Sequence, residues 1–153
     1  ELPNFHEVGG GLWRSGQPNR AGLAQLQAKG IKTLLYLRED DGREEKAQAE
    51  RLGMRMERVS MSAFHAPRFG EVDRALAIMK DESKRPLVVH CRHGKDRTGF
   101  TVAAYRVTVD GWSIEAAVRE AKSRHCCAFT FRDLDGWLGK YKARVERRRA
   151  SPR

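Results

Sequence analysis

The residues with a chemistry of their own lie in one stretch, Leu87-Val88-Val89-His90-Cys91-Arg92-His93-Gly94-Lys95-Asp96-Arg97-Thr98-Gly99. Here a short apolar run ends in a cysteine, and an arginine follows after five intervening residues. A loop of this length between a strand and a helix can curl until its backbone N–H groups converge, and such a nest binds oxyanions. Gly94 admits backbone angles that other residues resist, and the helix expected to begin near Thr98 adds its positive dipole end at the same place. Arg97 carries a planar fork that holds two phosphate oxygens together. A cysteine on the rim of this positive bowl is stabilised as the thiolate and becomes a nucleophile. In-line attack on a bound phosphomonoester gives a cysteinyl-phosphate, which water then hydrolyses. Cys91 is therefore read as the nucleophile and Arg97 as the catalytic clamp, with Arg92, His93, Gly94, Lys95, Asp96 and Arg97 as the phosphate-binding loop. Thr98 is expected to donate to the sulfur and support the leaving thiolate. Neither metal nor cofactor is expected, because the amides and Arg97 supply the positive charge that the transition state calls for.

Each of these residues has a plainer reading. A lone cysteine after a strand is ordinarily a small buried apolar residue. The joint pattern displaces that reading, since His, Cys, Gly, Arg and Thr at these spacings coincide by chance about once in a million start positions or less. Arg92, His93 and Lys95 read equally as donors around the bowl or as a solvated face. Arg68 either reaches a second phosphate or faces water. His65 reads as an ordinary loop residue, and Trp112 and Trp137 as packing anchors of their helices. Cys126 and Cys127, adjacent near a helix end, read as passive and not as redox partners of Cys91.

To deliver Cys91 to such a bowl, the rest of the chain must build a strand–loop–helix unit inside a sheet. Residues 1–18 are turn-rich, with Gly9, Gly10 and Gly11 between short apolar stretches, and predict a short hairpin. Asn19 caps a helix carrying Leu23 and Leu26, which Gly30 closes. Residues 31–37 read as a buried strand, 44–52 as a surface helix ended by Gly53, and 54–61 as the next strand. A loop over 62–70 leads to a helix over 72–79, and Pro86 opens the strand that runs into Cys91. Phe100, Val102, Ala103, Ala104 and Val107 then make a strongly apolar helix. Ser113 caps another through Arg124, and Leu134, Trp137, Leu138, Tyr141 and Val145 mark a final amphipathic one. Strands alternating with helices predict an α/β fold: a short, mainly parallel sheet flanked by helices on both faces.

At 153 residues the chain suits one domain, 1–153, and its mix of 40% hydrophobic and 33% charged residues excludes wholesale disorder. Charged residues interrupt every apolar run well short of the roughly 20 needed to cross a bilayer. Three cysteines make no disulfide framework and no zinc-ligand spacing, so a special cysteine here is expected to be reactive, not structural. The net charge of +10 attracts phosphate-rich partners or merely keeps the protein in solution. Residues 147–153 read as a frayed basic tail; nucleic acid is a partner that the charge permits but the sequence does not favour. The chain opens at Glu1 with no signal-like segment. That leaves the cytoplasm or, after removal of an export signal, the periplasm or exterior.

His90-Cys91-x-x-Gly94-x-x-Arg97-Thr98-Gly99 resembles the signature of the cysteine-dependent protein tyrosine and dual-specificity phosphatases. Leu12-Trp13-Arg14-Ser15-Gly16-Gln17-Pro18, with the helix and strand after it, resembles the N-terminal part of the small atypical dual-specificity phosphatases, so the similarity covers most of the chain. It implies a protein tyrosine phosphatase-like fold, the roles already given to Cys91 and Arg97, and His90 as a partner that supports the loop. The departure concerns the general acid, in most of this family an Asp on a loop about thirty residues before the Cys. Here that loop, 62–70, holds no carboxylate. Asp96 is preferred, because some bacterial phosphatases and myotubularin-like lipid phosphatases resemble this sequence in having Asp directly before the Arg. Glu71 and Asp73 are the alternatives, with the plainer reading of solvated acids at a helix start.

The substrate implied is a phosphoprotein, at tyrosine or at serine and threonine. Alternatives are phosphoinositides, inositol (pyro)phosphates or RNA 5′-phosphates, suggested by Lys95, Asp96 and the net charge. A phosphoanhydride among them needs little protonation of its leaving group. An inactive phosphate-binding pseudophosphatase is the reading if no acid is in reach. Rhodanese or arsenate-reductase chemistry shares the cysteine-loop logic, but Arg97-Thr98 and the upstream segment disfavour it.

Overall fold

A computed structural model describes residues 1–127 and 133–151. The glycine-rich N-terminal segment turns back on itself as expected, pairing β1 (His6–Gly9) with β2 (Leu12–Ser15) in an antiparallel hairpin. β3 (Thr33–Tyr36) and β5 (Leu87–His90) are buried along their whole length, as strands covered on both faces must be. β4 (Arg55–Arg58) is more exposed and takes one edge. The order across the five-stranded sheet is β1-β2-β5-β3-β4, and every pairing except that of the hairpin is parallel. Ser15, His90, Tyr36 and Arg58 stand in one row across the sheet. Each is the last residue of its strand, so four strands end together, and the crevice outside such carboxyl ends is where open α/β sheets bind ligands.

Helices cover both faces. α1 (Arg20–Ala28) starts where the Asn19 side chain accepts a hydrogen bond from the Gly22 N–H, and it stops before Gly30, whose φ of +84° is left-handed. With α2 (Arg43–Arg51), it packs Leu23, Leu26 and Ala49 against Leu34, Tyr36 and Val88 of the sheet. On the opposite face α3 (Phe69–Lys80), α4 (Arg97–Thr108), α5 (Ile114–Ser123) and α6 (Leu134–Ala150) share one core with Leu35, Val89 and Cys91. Alternate residues of β3 and β5 thus face opposite layers, the period-2 geometry of a strand. α4 is buried nearly all round, with Phe100, Val102, Ala103, Ala104 and Val107 in the core as predicted. Ser113 caps α5 by accepting from the Ala116 N–H.

Several expectations are corrected. α6 runs to Ala150, so residues 147–150 are helical and not a frayed tail. Arg148 pairs with Asp73, and Arg149 donates to the Thr108 carbonyl, which anchors a stretch rich in good helix formers. Cys126 and Cys127, expected to be unpaired, are joined to each other, leaving Cys91 as the free cysteine among the described residues. Trp137 is the core anchor predicted for it, stacked on Tyr141 and edge-on to Phe69 and Phe100. Trp112 lies under the Arg106 guanidinium. No helix among the described residues is long and apolar enough to cross a membrane.

Candidate active site

β5 delivers Cys91 to the end of the sheet, and the chain then curls through residues 92–96 into α4. Cys91 is 2% exposed, so it forms the floor of the bowl and not its rim. Its sulfur accepts a hydrogen bond from Thr98 Oγ1 at 3.0 Å, and Thr98 is itself fully buried. The loop's carbonyls are drawn away from the bowl. The Gln17 N–H donates to the Arg92 carbonyl at 2.9 Å. Gly94 O receives both Arg14 Nη2 and Asn4 Nδ2 at 3.0 Å. Lys95 O and Asp96 O accept from Gly99 N–H and Phe100 N–H in the first turn of α4. Because N–H and C=O point opposite ways across a planar trans peptide, tying these carbonyls outward turns the N–H groups of the following residues inward.

Gly94 takes a φ of +71°, and a Cβ built there would stand 2.5 Å from Gly16 N, so the loop is pressed directly onto the backbone at the end of β2. Arg97 is the first residue of α4, one position earlier than expected, and is 9% exposed. Its Nη1 reaches the Met61 carbonyl at 3.4 Å, which places the guanidinium between the bowl and the base of the 62–68 loop. Arg92, His93 and Lys95 expose their side chains, so their contribution to the bowl is backbone and their charges form its outer margin.

Behind the loop, His90 is fully buried and its Nε2 donates to Glu45 Oε2 at 2.6 Å. Glu45 is 6% exposed, and its other oxygen accepts from Gln17 Nε2, whose amide oxygen in turn accepts from Arg38 Nη1. The chain Arg38–Gln17–Glu45–His90 fixes the ring immediately before Cys91, and the ring's other nitrogen lies 3.3 Å from the Cys91 carbonyl. Removing one member of a buried pair of this kind costs about 3–5 kcal/mol. Glu45 is a residue that sequence reasoning missed, because it sits in the charged run Arg43-Glu44-Glu45-Lys46, which reads as a solvated helix face. Arg14 was also missed; its only signal was its place in the segment shared with the atypical phosphatases.

The three candidate acids have different surroundings. Asp73 faces α6, where Tyr141, Arg144 and Arg148 all donate to it at 2.7 to 2.9 Å. Burial alone would raise its pKa, but these hydrogen bonds prevail and hold the carboxyl below the ordinary range. Glu71 closes back on its own helix, accepting from the Arg68 N–H at 2.9 Å. Asp96 lies in the loop beside Arg97 and is half-buried, with Oδ1 accepting from the Cys127 N–H at 2.8 Å. His65 and Arg68 are exposed on the 62–68 loop.

Comparison with known proteins agrees with this geometry. A family model described as a DSP-PTPase phosphatase fused to NAD+ kinase matches residues 5–135. The chain is 33% identical over 121 residues to the dual specificity protein phosphatase TpbA of Pseudomonas aeruginosa, covering 76% of this chain and 52% of that protein. It is 27% identical over 138 residues to the inositol diphosphatase DSP2 of Oryza sativa subsp. japonica, covering 86% of this chain and 66% of that protein. The core catalytic domain of the PP-IP phosphatase SIW14 from S. cerevisiae superimposes with a TM-score of 0.85 at 25% identity, covering 98% of this chain and 93% of that one. The chain thus spans about half the length of TpbA. With the match running from the hairpin through the phosphate loop to the start of α6, this chain belongs to the dual-specificity family of protein tyrosine phosphatases.

Proposed function

We propose that the protein hydrolyses phosphomonoesters through a cysteinyl-phosphate on Cys91. The observation that carries this reading is the Thr98 hydroxyl 3.0 Å from the Cys91 sulfur, beneath a loop whose carbonyls are bonded outward. A sulfur that accepts a hydrogen bond is favoured as the anion, and the inward N–H groups hold a phosphate above it. Arg97 binds two of the phosphoryl oxygens and follows them as charge shifts in the transition state. The sulfur forms a bond to phosphorus as the ester oxygen leaves with a proton. Asp96 is the proposed donor of that proton, since one of its oxygens is held by Cys127 and the other is left for the leaving group. Water then attacks phosphorus, Thr98 stabilises the departing thiolate, and phosphate is released.

Phosphotyrosine or phosphoserine and phosphothreonine of proteins are the proposed substrates. A second reading, an inositol pyrophosphate, is supported by the exposed cationic margin of Arg92, His93 and Lys95 and by relatives named for that activity. As the β-phosphoryl group passes to sulfur, the α-phosphate that leaves needs little protonation, which suits a 62–70 loop without a carboxylate.

The test is turnover of an aryl phosphate, a phosphotyrosine peptide and an inositol pyrophosphate by the parent, Cys91→Ser and Asp96→Asn. Cys91→Ser is expected to lose about 10⁴-fold or more in rate on all three while still binding phosphate. Asp96→Asn is expected to lose the basic limb of the pH–rate profile on the esters and little on the anhydride. A parent inert toward an activated aryl phosphate, or a Cys91→Ser protein as active as the parent, would refute the reading.

A further inference from the structure

We propose that Arg14 is a positioning residue of the active site, a buried cation on β2 that pins the phosphate loop from its outer side and favours negative charge on Cys91 and on docked phosphate. The inference rests on the reading of Cys91 as the nucleophile.

An arginine only 2% exposed is unusual, and side chains of this kind are almost never fully buried unless they are paired. Among the described residues Arg14 makes no ion pair. Nη2 donates to the Gly94 carbonyl at 3.0 Å, whereas Nε and Nη1 are buried without a hydrogen-bond partner among the described residues. Among the described residues, the charged groups that face it are Glu120 of α5, Arg124 at that helix's C-cap, Arg106 of α4, His6 of β1, and Cys91 at the end of β5. Glu120 is already engaged by Arg106, at 3.0 and 2.9 Å, and the two arginines oppose it. Burial pushes the Arg14 guanidinium down to about 10, against the pull of Glu120 and Cys91, so it is still a cation at neutral pH. Glu120 is thus shared with Arg106, and the Cys91 sulfur at the floor of the bowl is the other anion that favours the Arg14 cation.

The contact with Gly94 makes the same residue a mechanical support. Gly94 O accepts from both Arg14 and Asn4, and the peptide it belongs to turns the Lys95 N–H toward the bowl. Arg97 holds phosphate from the helix side, and Arg14 holds the loop from the sheet side. Around Cys91, the other groups able to influence its charge are Thr98 and Arg97 of α4, His90 of β5 with its partner Glu45 of α2, and Asp96 of the loop. None of them contacts the Gly94 carbonyl.

The experiment compares Arg14→Lys, Arg14→Gln and Arg14→Met with the parent. One readout is the pH dependence of iodoacetamide alkylation, followed by mass spectrometry of the peptide carrying Cys91. The other is competitive inhibition by inorganic phosphate. The neutral variants are expected to raise the alkylation midpoint by about one pH unit and to weaken phosphate by about tenfold. Arg14→Lys, which keeps the charge, is expected to hold the midpoint within about 0.3 unit of the parent. A packing role alone would lower stability without moving the midpoint. Neutral variants that fold and titrate like the parent would overturn the inference. So would a midpoint displaced by a full unit in Arg14→Lys, a result that decides the question even if the neutral variants do not fold. Failure of the underlying reading looks different: the parent itself would hydrolyse no aryl phosphate and its Cys91 would alkylate like an ordinary thiol.

Discussion

The two sides of the bowl are built differently. Toward the hairpin, Asn4, Arg14 and Gln17 each hold the phosphate loop by a hydrogen bond, and Gly94 lies against the backbone of Ser15 and Gly16 with no room for a methyl group. Across the bowl, the anchors of the 62–68 loop among the described residues lie at its ends. Met61 N–H reaches Leu37 O at 3.1 Å, Trp137 Nε1 reaches Pro67 O at 3.1 Å, and between them the side chain of Phe64 is 81% exposed. One wall is fixed before any ligand arrives, which spares the cost of reorganisation when phosphate docks. The other has few buried contacts and belongs to the low-stability end of the fold, from which lids and substrate-contacting loops are drawn. On the proposed reading, recognition of the phosphoryl group is preorganised, and adaptation to the rest of the substrate falls to the opposite side.

The contrast is open to direct attack. Its largest expected effect comes from Gly94→Ala, which places a side chain at φ +71° against the end of β2. We expect a loss of at least about 2 kcal/mol in urea denaturation and a fall of about a hundredfold in phosphate affinity. Full phosphate affinity in that variant would show that the hairpin wall is not rigid. Asp73→Asn sharpens the comparison from the other side, because Asp73 was a candidate acid near the loop yet serves the α3–α6 contact. Its lowered pKa means that stability is gained above the unfolded value of about 3.9 and lost as pH falls through the folded value below it. At neutral pH the variant should lose about 1 kcal/mol, the pairing being partly screened by solvent. Its Tm should vary less than the parent's below about pH 4, and its basic pH–rate limb should match the parent's; loss of that limb would move the general acid to Asp73. Phe64→Ala is the smallest perturbation, expected within about 0.5 kcal/mol of the parent in stability. Its effect should appear as a changed KM for peptide substrates with little change for a small aryl phosphate.

Much of this architecture is legible in the sequence because its signals are local. Asn19 and Gly30 bracket α1, Ser113 starts α5, and the run from Leu87 to Cys91 needs only its own apolarity to be recognised as a buried strand that ends in a nucleophile. The phosphate loop is legible for the same reason, since its glycine, arginine and threonine must stand at fixed spacing to one cysteine. What was hidden depends on contacts between distant segments. Arg14 and Glu45 carry charge and read as solvent-facing, and nothing in their neighbours in the chain says that one lies under Gly94 and the other against His90. The end of α6 looked frayed because seven residues of mostly basic and small character have no apolar stripe, yet α3 and α4 provide Asp73 and the Thr108 carbonyl as anchors. Asp73 itself was placed by its neighbours near the loop, but its direction is set by a helix some seventy residues away.

The clamp on Gly94 joins positions 4 and 14 to position 94, separations of 90 and 80 residues along the chain. Contacts of that span form only after much of the intervening polypeptide has collapsed. On the proposed reading, the Cys91 thiol gains its activating surroundings only when the hairpin docks on β5, its neighbour in the sheet, and chemical competence reports that docking.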